Sequence, residues 1–336
     1  MNDQGQRPAV IGFDTSNYRT SAAAVTLDGE ILADWRELLP VSEGERGLRQ
    51  SEAVFAHIRQ LRKSEELFRS RTGGIRIAAV AASTKPRDGE DSYMPVFQVG
   101  HTVGCMLAAA LNVPFFETTH QRGHLAAARH GTELENAEEM LAMHLSGGTT
   151  DLLGVNQDSI ERLGGSADLH AGQLVDRAGV ALGLSFPSGE ALEKLAFCGK
   201  SEGRLGCSLE NDDLVCHLSG AETKVQQWIR KAELPAEDIA REIYDLLART
   251  IVRMLKAGAK ETGFSKALVT GGVASSPLLR QMLEERRSKM PGCPEIVFGK
   301  PERSGDNAVG VALIGARRIQ NSEFRMKNEE SGIQDS

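Results

Sequence analysis

The stretch Ala9-Val10-Ile11-Gly12-Phe13-Asp14-Thr15-Ser16-Asn17, continued by Ser21 to Leu27, reads as strand, tight turn, strand. Ala9 to Phe13 is apolar without interruption, and Asp14 to Asn17 supplies turn-forming side chains. The second strand ends at Asp28-Gly29, and a third, Ile31 to Leu39, follows it. A similar opening returns about 130 residues later, the kind of spacing that marks a repeated unit. There Met140 to Leu145 is apolar, Ser146-Gly147-Gly148-Thr149-Thr150 turns, and Leu152 to Val155 continues as a strand. Coincidence between two common hairpins competes with a second reading, an internal duplication. The duplication predicts a sheet in each of two lobes and a cleft between them.

Between and beyond these hairpins the pattern alternates. Glu52 to Leu61 has helical periodicity, Ile77 to Ala82 looks like a buried parallel strand, and Phe97 to Leu111 like a helix stopped by Asn112 and Pro114. The second half is mostly helical, with helices at Ala167 to Leu184, Gly189 to Ala196 and Ala236 to Lys260. A short strand, Ala267 to Val269, runs into Gly271-Gly272, and a helix starts at Ser276. Asn307 to Ile319 forms a last helix rich in small residues, and the polar stretch after Gln320 is expected to fray. The expected organisation is lobe I at 8–125 with 300–320 packing back onto it, lobe II at 126–299, and a flexible tail at 321–336.

At 336 residues the chain exceeds what one core usually supports, which agrees with two lobes. Hydrophobic residues are 40% and charged residues 25%, an ordinary globular balance. The net charge of −7 argues against a surface that coats nucleic acid: no DNA partner is expected, while a local basic patch for RNA stays open. MNDQGQRP shows no basic-then-apolar signal pattern, and the apolar runs fall short of a membrane helix, so a cytoplasmic protein with no membrane partner is expected. Five cysteines without a C-x-x-C pair read as reduced core or loop thiols.

Chemistry is suggested by two kinds of feature. The first is a set of three glycine-rich turns: Ser146 to Thr150, Pro187-Ser188-Gly189, and Gly271-Gly272-Val273-Ala274-Ser275-Ser276. Glycine lets backbone amides approach a phosphate, and the last turn feeds a helix N-terminus, where an anion is favoured. The second is His120-Gln121-Arg122-Gly123-His124, whose imidazoles at i and i+4 share one helix face and can converge on one ion. Spacing alone equally allows two solvated histidines. Gln121 stands where a zinc protease of the H-E-x-x-H kind has its glutamate base, which removes that reading. A metal needs a third ligand, and Asp306, just ahead of the last helix, is the best-placed carboxylate. His130 and His144 read as surface and strand residues.

Taken together, His120-x-x-Gly123-His124, Ser146-Gly147-Gly148, Asp176, Phe186-Pro187-Ser188-Gly189, Gly271-Gly272-Val273 and Asp306-Asn307 resemble one family in order and spacing. It is the tRNA N6-adenosine threonylcarbamoyltransferase family (TsaD or Gcp, once called O-sialoglycoprotein endopeptidase), and the resemblance runs from about Val10 to Ala316. It implies an α/β protein of the actin/Hsp70/sugar-kinase fold, with two ribonuclease-H-like lobes around a nucleotide cleft. It implies one divalent metal, iron or zinc, on His120, His124 and Asp306, coordinating the phosphate of an adenylate or ATP-type nucleotide. His144, Leu145, Ser146, Gly147 and Gly148 are then the phosphate-side turn and Asp176 and Gly189 contact the adenosine, with Gly271, Gly272 and Ser276 completing the nucleotide set. The implied reaction passes a threonylcarbamoyl group from threonylcarbamoyl-adenylate to N6 of the adenosine beside the tRNA anticodon. A smaller paralogue of the same fold and a pathway ATPase are the implied partners, with tRNA.

Several positions depart from the family pattern. Where the family's first turn reads E-T-S-C-D-E-T, this chain has Asp14-Thr15-Ser16-Asn17-Tyr18-Arg19-Thr20, so Tyr18 and Arg19 replace an acidic pair. Thr149 replaces a histidine, Ser276 an asparagine, and Lys85-Pro86-Arg87-Asp88-Gly89-Glu90-Asp91 a loop rich in proline and glycine. The leading expectation is a metal-dependent transferase with its catalytic groups unassigned. The alternative is a divergent paralogue that binds metal and nucleotide as a non-catalytic or regulatory subunit. A small-molecule kinase, resting on fold analogy and needing Asp14 or Asp151 as its carboxylate, ranks below both.

Overall fold

The structure is a computed structural model that describes residues 6–16, 19–40, 48–71, 73–89, 92–156 and 159–330. The chain divides into two compact units: residues up to Ala128 together with those from Asp306 onward, and Arg129–Gly305.

The first unit opens with an antiparallel meander, β1 (Arg7–Thr15), β2 (Arg19–Thr26) and β3 (Ile31–Leu38). Helices α1 (Gln50–Leu61) and α2 (Glu65–Arg71) lead to β4 (Ile75–Lys85), which pairs parallel with β1. Helix α3 (Phe97–Leu111) ends at Asn112, whose left-handed φ of 52° makes it the cap the sequence announces. Strand β5 (Phe115–Thr119) adds parallel to β4 and turns directly into α4 (His120–Arg129). The sheet order is β3-β2-β1-β4-β5.

The second unit repeats this plan. Strands β6 (Met140–Leu145), β7 (Thr150–Val155) and β8 (Ile160–Ser166) form a meander. Helices α5 (Ala171–Ala181) and α6 (Gly189–Cys198) follow, then a small hairpin, β9 (Ser208–Glu210) and β10 (Val215–His217). After α7 (Ser219–Lys231) and the long α8 (Ala236–Thr262), β11 (Lys266–Thr270) pairs parallel with β6. Helix α9 (Pro277–Arg287) leads to β12 (Glu295–Phe298), parallel to β11. The full order β12-β11-β6-β7-β8-β10-β9 contains the first unit's arrangement strand for strand, with only the β9–β10 hairpin added. Duplication, not coincidence between hairpins, accounts for that match.

Helix α10 (Val309–Glu330) completes the first unit. Its packing explains why β1 reads as an unbroken apolar run: both of its faces are covered. Ile11 and Phe13 join Val80, Ala82 and Ala108 of α3, whereas Val10 joins Ala79, Ala81 and Val311 and Ala316 of α10. Small residues let α10 lie directly on backbone. A Cβ at Gly12 would come within 2.7 Å of the Ala308 carbonyl, and one at Gly310 within 1.8 Å of the Gly123 carbonyl in α4.

The differences from expectation have local causes. Asp14 and Thr15, read as turn residues, belong to β1, opposite Ser21 and Thr20. The helix expected over Ala167 to Leu184 is only Ala171–Ala181, because α5 starts beyond the loop that follows β8. Strand β8, sequence IERLGGS, shows no apolar alternation: Glu161 and Arg162 are exposed, and Gly164 lies against Leu214, where a Cβ would be 2.0 Å from the carbonyl. The polar segment 321–330, expected to fray, continues α10, and 331–336 lie outside the described residues. Among the described residues no helix is long and apolar enough to cross a membrane.

Replacing Gly310 by alanine forces α4 and α10 apart, because a methyl group cannot share space with a carbonyl oxygen. Overpacking of this kind costs roughly 1–3 kcal/mol. Chemical denaturation of Gly310→Ala should show a loss of that size, and Gly220→Ala, whose Cβ meets open space, should show none.

Candidate metal centre

Helix α4 begins immediately after β5, with the Thr119 hydroxyl accepting from the Arg122 amide (3.2 Å) as a cap for its first turn. His120 and His124 are therefore one turn apart at the start of the helix and face the same way. Asp306 arrives from the other end of the chain, three residues before α10. The Nε2 atoms of the two histidines are 3.0 Å apart, His124 Nε2 is 3.0 Å from Asp306 Oδ1, and His120 Nε2 is 3.7 Å from the same oxygen. These residues form a cluster with metal-ligand chemistry, their donor atoms all within 4.8 Å of one another.

The donor set fits a divalent ion. A circle through the three atoms has a radius of about 1.9 Å, just under the roughly 2.0–2.2 Å of zinc–nitrogen and zinc–oxygen bonds. Two imidazoles and one carboxylate suit zinc or iron and are unlike the all-oxygen sets of calcium and magnesium. The supporting shell is present as well. His120 Nδ1 lies 2.9 and 3.0 Å from the two oxygens of Asp14, a carboxylate only 1% exposed that also accepts from the Ser83 hydroxyl. This carboxylate–imidazole pairing fixes which ring nitrogen faces the ion and raises its basicity. The Ser16 hydroxyl donates to Asp306 Oδ2, leaving Oδ1 toward the histidines.

Electrostatics tie these groups together. Burial pushes the His120 imidazole down, but Asp14, by charge and hydrogen bond, and then Asp306 outweigh it and raise the group to about 9. Burial opposes the charge on Asp306, yet His124 and His120 hold its carboxyl well below the usual carboxylate range. At neutral pH in the absence of metal, a proton on His120 therefore occupies the position an ion needs, and metal binding must release it.

The remaining candidates fall in two places. Arg19 is in the first unit, its Nη1 donating to the Asp306 carbonyl (3.4 Å), while Asn17, Tyr18, Glu90 and Asp91 lie outside the described residues. The charged loop ahead of α3 is anchored to the helix that carries the two histidines: Arg122 makes a two-nitrogen clamp on Asp88, and the Gln121 amide donates to the Pro86 carbonyl.

In the second unit, His144 and Leu145 end β6, and Ser146 closes the turn through its amide to the Thr149 carbonyl (2.8 Å). Gly147 and Gly148 are exposed, and a Cβ on either would meet nothing. The turn rests on the start of α5, where a Cβ at Gly172 would collide with Gly147 at 2.7 Å. Gly271 has φ +107° and passes so close to the Leu145 carbonyl that a Cβ would be 2.2 Å away, so two of the three glycine turns adjoin. Gly272 follows it in open space. Asp176 accepts from the Ser188 amide (2.8 Å) and so holds the turn that carries Gly189, whose carbonyl accepts from Tyr244. Ser276 is used structurally: its hydroxyl donates to Glu193 (2.6 Å) and caps α9 by accepting from the Leu279 amide. His130 pairs with Glu135 in the second unit.

Asp14 as the partner of His120 is the residue that reading the sequence missed. A lone carboxylate at a strand end is a signal only once α4 is known to lie against that strand. The carboxylate a kinase reading needs, Asp14 or Asp151, is in either case already engaged, Asp14 by His120 and Asp151 by Arg162 Nε at 2.8 Å.

The duplicated five-strand sheets define the actin/Hsp70/sugar-kinase fold class. Solved structures agree: full-length HypF in its phosphate- and nucleotide-bound form (TM-score 0.58, 14% identity, 94% of this chain and 46% of that one) and component A of (R)-2-hydroxyglutaryl-CoA dehydratase from Acidaminococcus fermentans (0.54, 16%, 92% and 98%). The ROK hexokinase of Thermus thermophilus is a third (0.52, 16%, 93% and 99%). Within that class the chain belongs to the TsaD family, tRNA N6-adenosine threonylcarbamoyltransferase, whose sequence model matches residues 92–308. A tRNA N6-adenosine threonylcarbamoyltransferase from Thermofilum pendens (strain DSM 2475 / Hrk 5) is 27% identical over 331 residues, 97% of this chain and 93% of that one.

Two outcomes check the centre. Replacing Asp14 by asparagine should weaken metal binding about 10–100-fold while leaving all three ligands in place, the usual effect of removing a ligand's supporting partner. The second concerns pH. The folded-state value of His120 lies above its ordinary 6.5, so its protonated form stabilises the metal-free protein below that value, and the contribution is lost as pH rises through about 9. Chelator competition should show metal affinity rising about tenfold per pH unit up to that value and levelling off beyond it, one proton leaving per ion bound.

Proposed function

We propose that this chain transfers a threonylcarbamoyl group from its adenylate to N6 of the adenosine beside the anticodon of tRNA, using a divalent ion held by His120, His124 and Asp306. The observation that carries the reading is the convergence of those three donors in a chain whose family is defined by this chemistry. Held by His120, His124 and Asp306, an ion, zinc or iron by donor type, would supply positive charge toward the phosphate of the nucleotide.

The protein's own groups do the rest. Asp14 holds the His120 ring, and Ser16 fixes Asp306, so the donors are oriented before any ligand arrives. The exposed backbone at Gly147 and Gly148, with Ser146, is the phosphate-side turn, His144 and Leu145 place it at the end of β6, and Gly271-Gly272 lies beside it. Asp176 and Gly189 form the adenosine side. Ser276 contributes by fixing α9, since its hydroxyl is already engaged. In the transfer, the adenine amine forms a bond to the carbamoyl carbon while the bond from that carbon to the phosphate oxygen breaks. The amine gives up a proton and the adenylate leaves as AMP.

Partners are part of the proposal: tRNA, a pathway ATPase, and a smaller paralogue of the same fold. Supporting the last are four large apolar side chains left in water on two helices in contact, Phe55 (62%) and Ile58 (56%) on α1 and Val103 (40%) and Met106 (67%) on α3.

Reconstitution decides the reading. Purified protein with metal, threonine, bicarbonate, ATP, tRNA and the pathway's partner proteins should form the modified base, and His124→Ala should form none. No product from the wild-type chain, under conditions where the Thermofilum pendens relative works, overturns it. The double substitution Phe55→Asp with Met106→Asp should abolish association with the paralogue while leaving bound metal, measured by elemental analysis, unchanged.

A further inference from the structure

A cavity of about 370 Å³ lies in the second unit between α8, the end of α9 and the segment that enters β9. That volume is at the lower end of the range for small-molecule sites. Its walls have two characters. Leu246 (1% exposed) and Val252 are buried in the core beneath it, and Leu209 and Met290 are half-buried at its sides. Arg249, Arg286 and Lys289 supply three positive groups around the same cavity.

Charge there is not balanced. Asp245, 6% exposed, accepts from Arg249 Nε (2.8 Å) on one oxygen and from Arg286 on the other. One carboxylate therefore serves two guanidinium groups. Arg249 is held further by its bond to the Leu205 carbonyl (2.5 Å). The neighbouring Arg253 is neutralised by Asp213 at 2.9 and 3.1 Å, and Glu284 by Arg287 at 3.0 Å. Lys289 is exposed and has no acidic partner among the described residues. A surplus of two positive charges is thus concentrated at one apolar cavity of a chain whose net charge is −7. The partial negative charge at the C-terminal end of α9, about half a unit, does not cancel it.

We propose that this cavity binds a small organic anion, a carboxylate or phosphate ester carrying an apolar body. Arg249 and Arg286, fixed by a buried carboxylate, present pre-oriented donors, so less freedom is lost when an anion arrives. Lys289 adds the mobile charge, and the body of the ligand covers Leu209 and Met290. The site lies in the second unit and uses none of the metal ligands or glycine turns.

The experiment uses the full chain and the fluorescent probe 8-anilinonaphthalene-1-sulfonate, an aromatic body with one negative charge. One equivalent should bind saturably. Lys289→Glu, a surface change that leaves the fold intact by circular dichroism, should weaken binding about tenfold or more, as reversing a charge beside an anion does. Octanoate and octyl phosphate should displace the probe, and octanol and inorganic phosphate should not. If octanol displaces it as well as octanoate, the cavity is only an apolar gap. If inorganic phosphate alone displaces it, the arginines form a plain anion patch. Either result, or unchanged binding in the Lys289→Glu protein, overturns the proposal.

Discussion

Helices α4 and α10 meet backbone to backbone at Gly123 and Gly310, and the cluster of His120, His124 and Asp306 depends on that contact. With side chains at these positions the helix axes would stand further apart, and Asp306 would not reach the imidazoles. The same economy of side-chain volume recurs at Gly12, where the start of α10 lies directly on β1. Glycine in a helix normally weakens it by about 1 kcal/mol, and here it permits the close approach that brings His120, His124 and Asp306 together. The glycine between the two histidines is thus as much part of the site as the histidines are.

A second dependence is electrostatic. The triad brings two imidazoles and a carboxylate to within bonding distance of one point, and Asp14 supplies a further negative charge behind His120. Without an ion, the arrangement offsets one of its two carboxylate charges by holding a proton on His120 well above the ordinary pH range of the side chain. Proton and metal are alternative occupants of one negatively charged pocket.

Much of this was legible in the sequence. The two hairpins that head the units and the helix Phe97–Leu111 with its Asn112 stop were readable because each has a strong local signal, period or cap. The spacing of His120 and His124, by contrast, equally allowed solvated side chains, and Asp306 stood out only by its place ahead of the last helix. Strands β8, β9, β10 and β12 were not, because each is short, polar or rich in glycine and is made a strand by its neighbours. Asp14 was readable as a turn residue and became a partner of His120 only through contacts 106 residues apart in the chain. Ser276 looked like a ligand contact and is a helix cap, since the buried Glu193 that engages it has no signature in the local sequence.

The wide separation of the metal ligands also has a consequence for how the molecule is made. His124 and Asp306 are 182 residues apart, with the whole of the second unit between them. That unit is one continuous stretch and can complete its sheet as it leaves the ribosome, whereas the first unit must hold β1 to β5 open until α10 has been synthesised. Domains that close late expose apolar strands in the meantime, and here the exposed strands are those that α10 covers. Assembly of the His120, His124 and Asp306 cluster is consequently one of the last events in the life of the nascent chain, and its formation reports that both ends of the first unit have met.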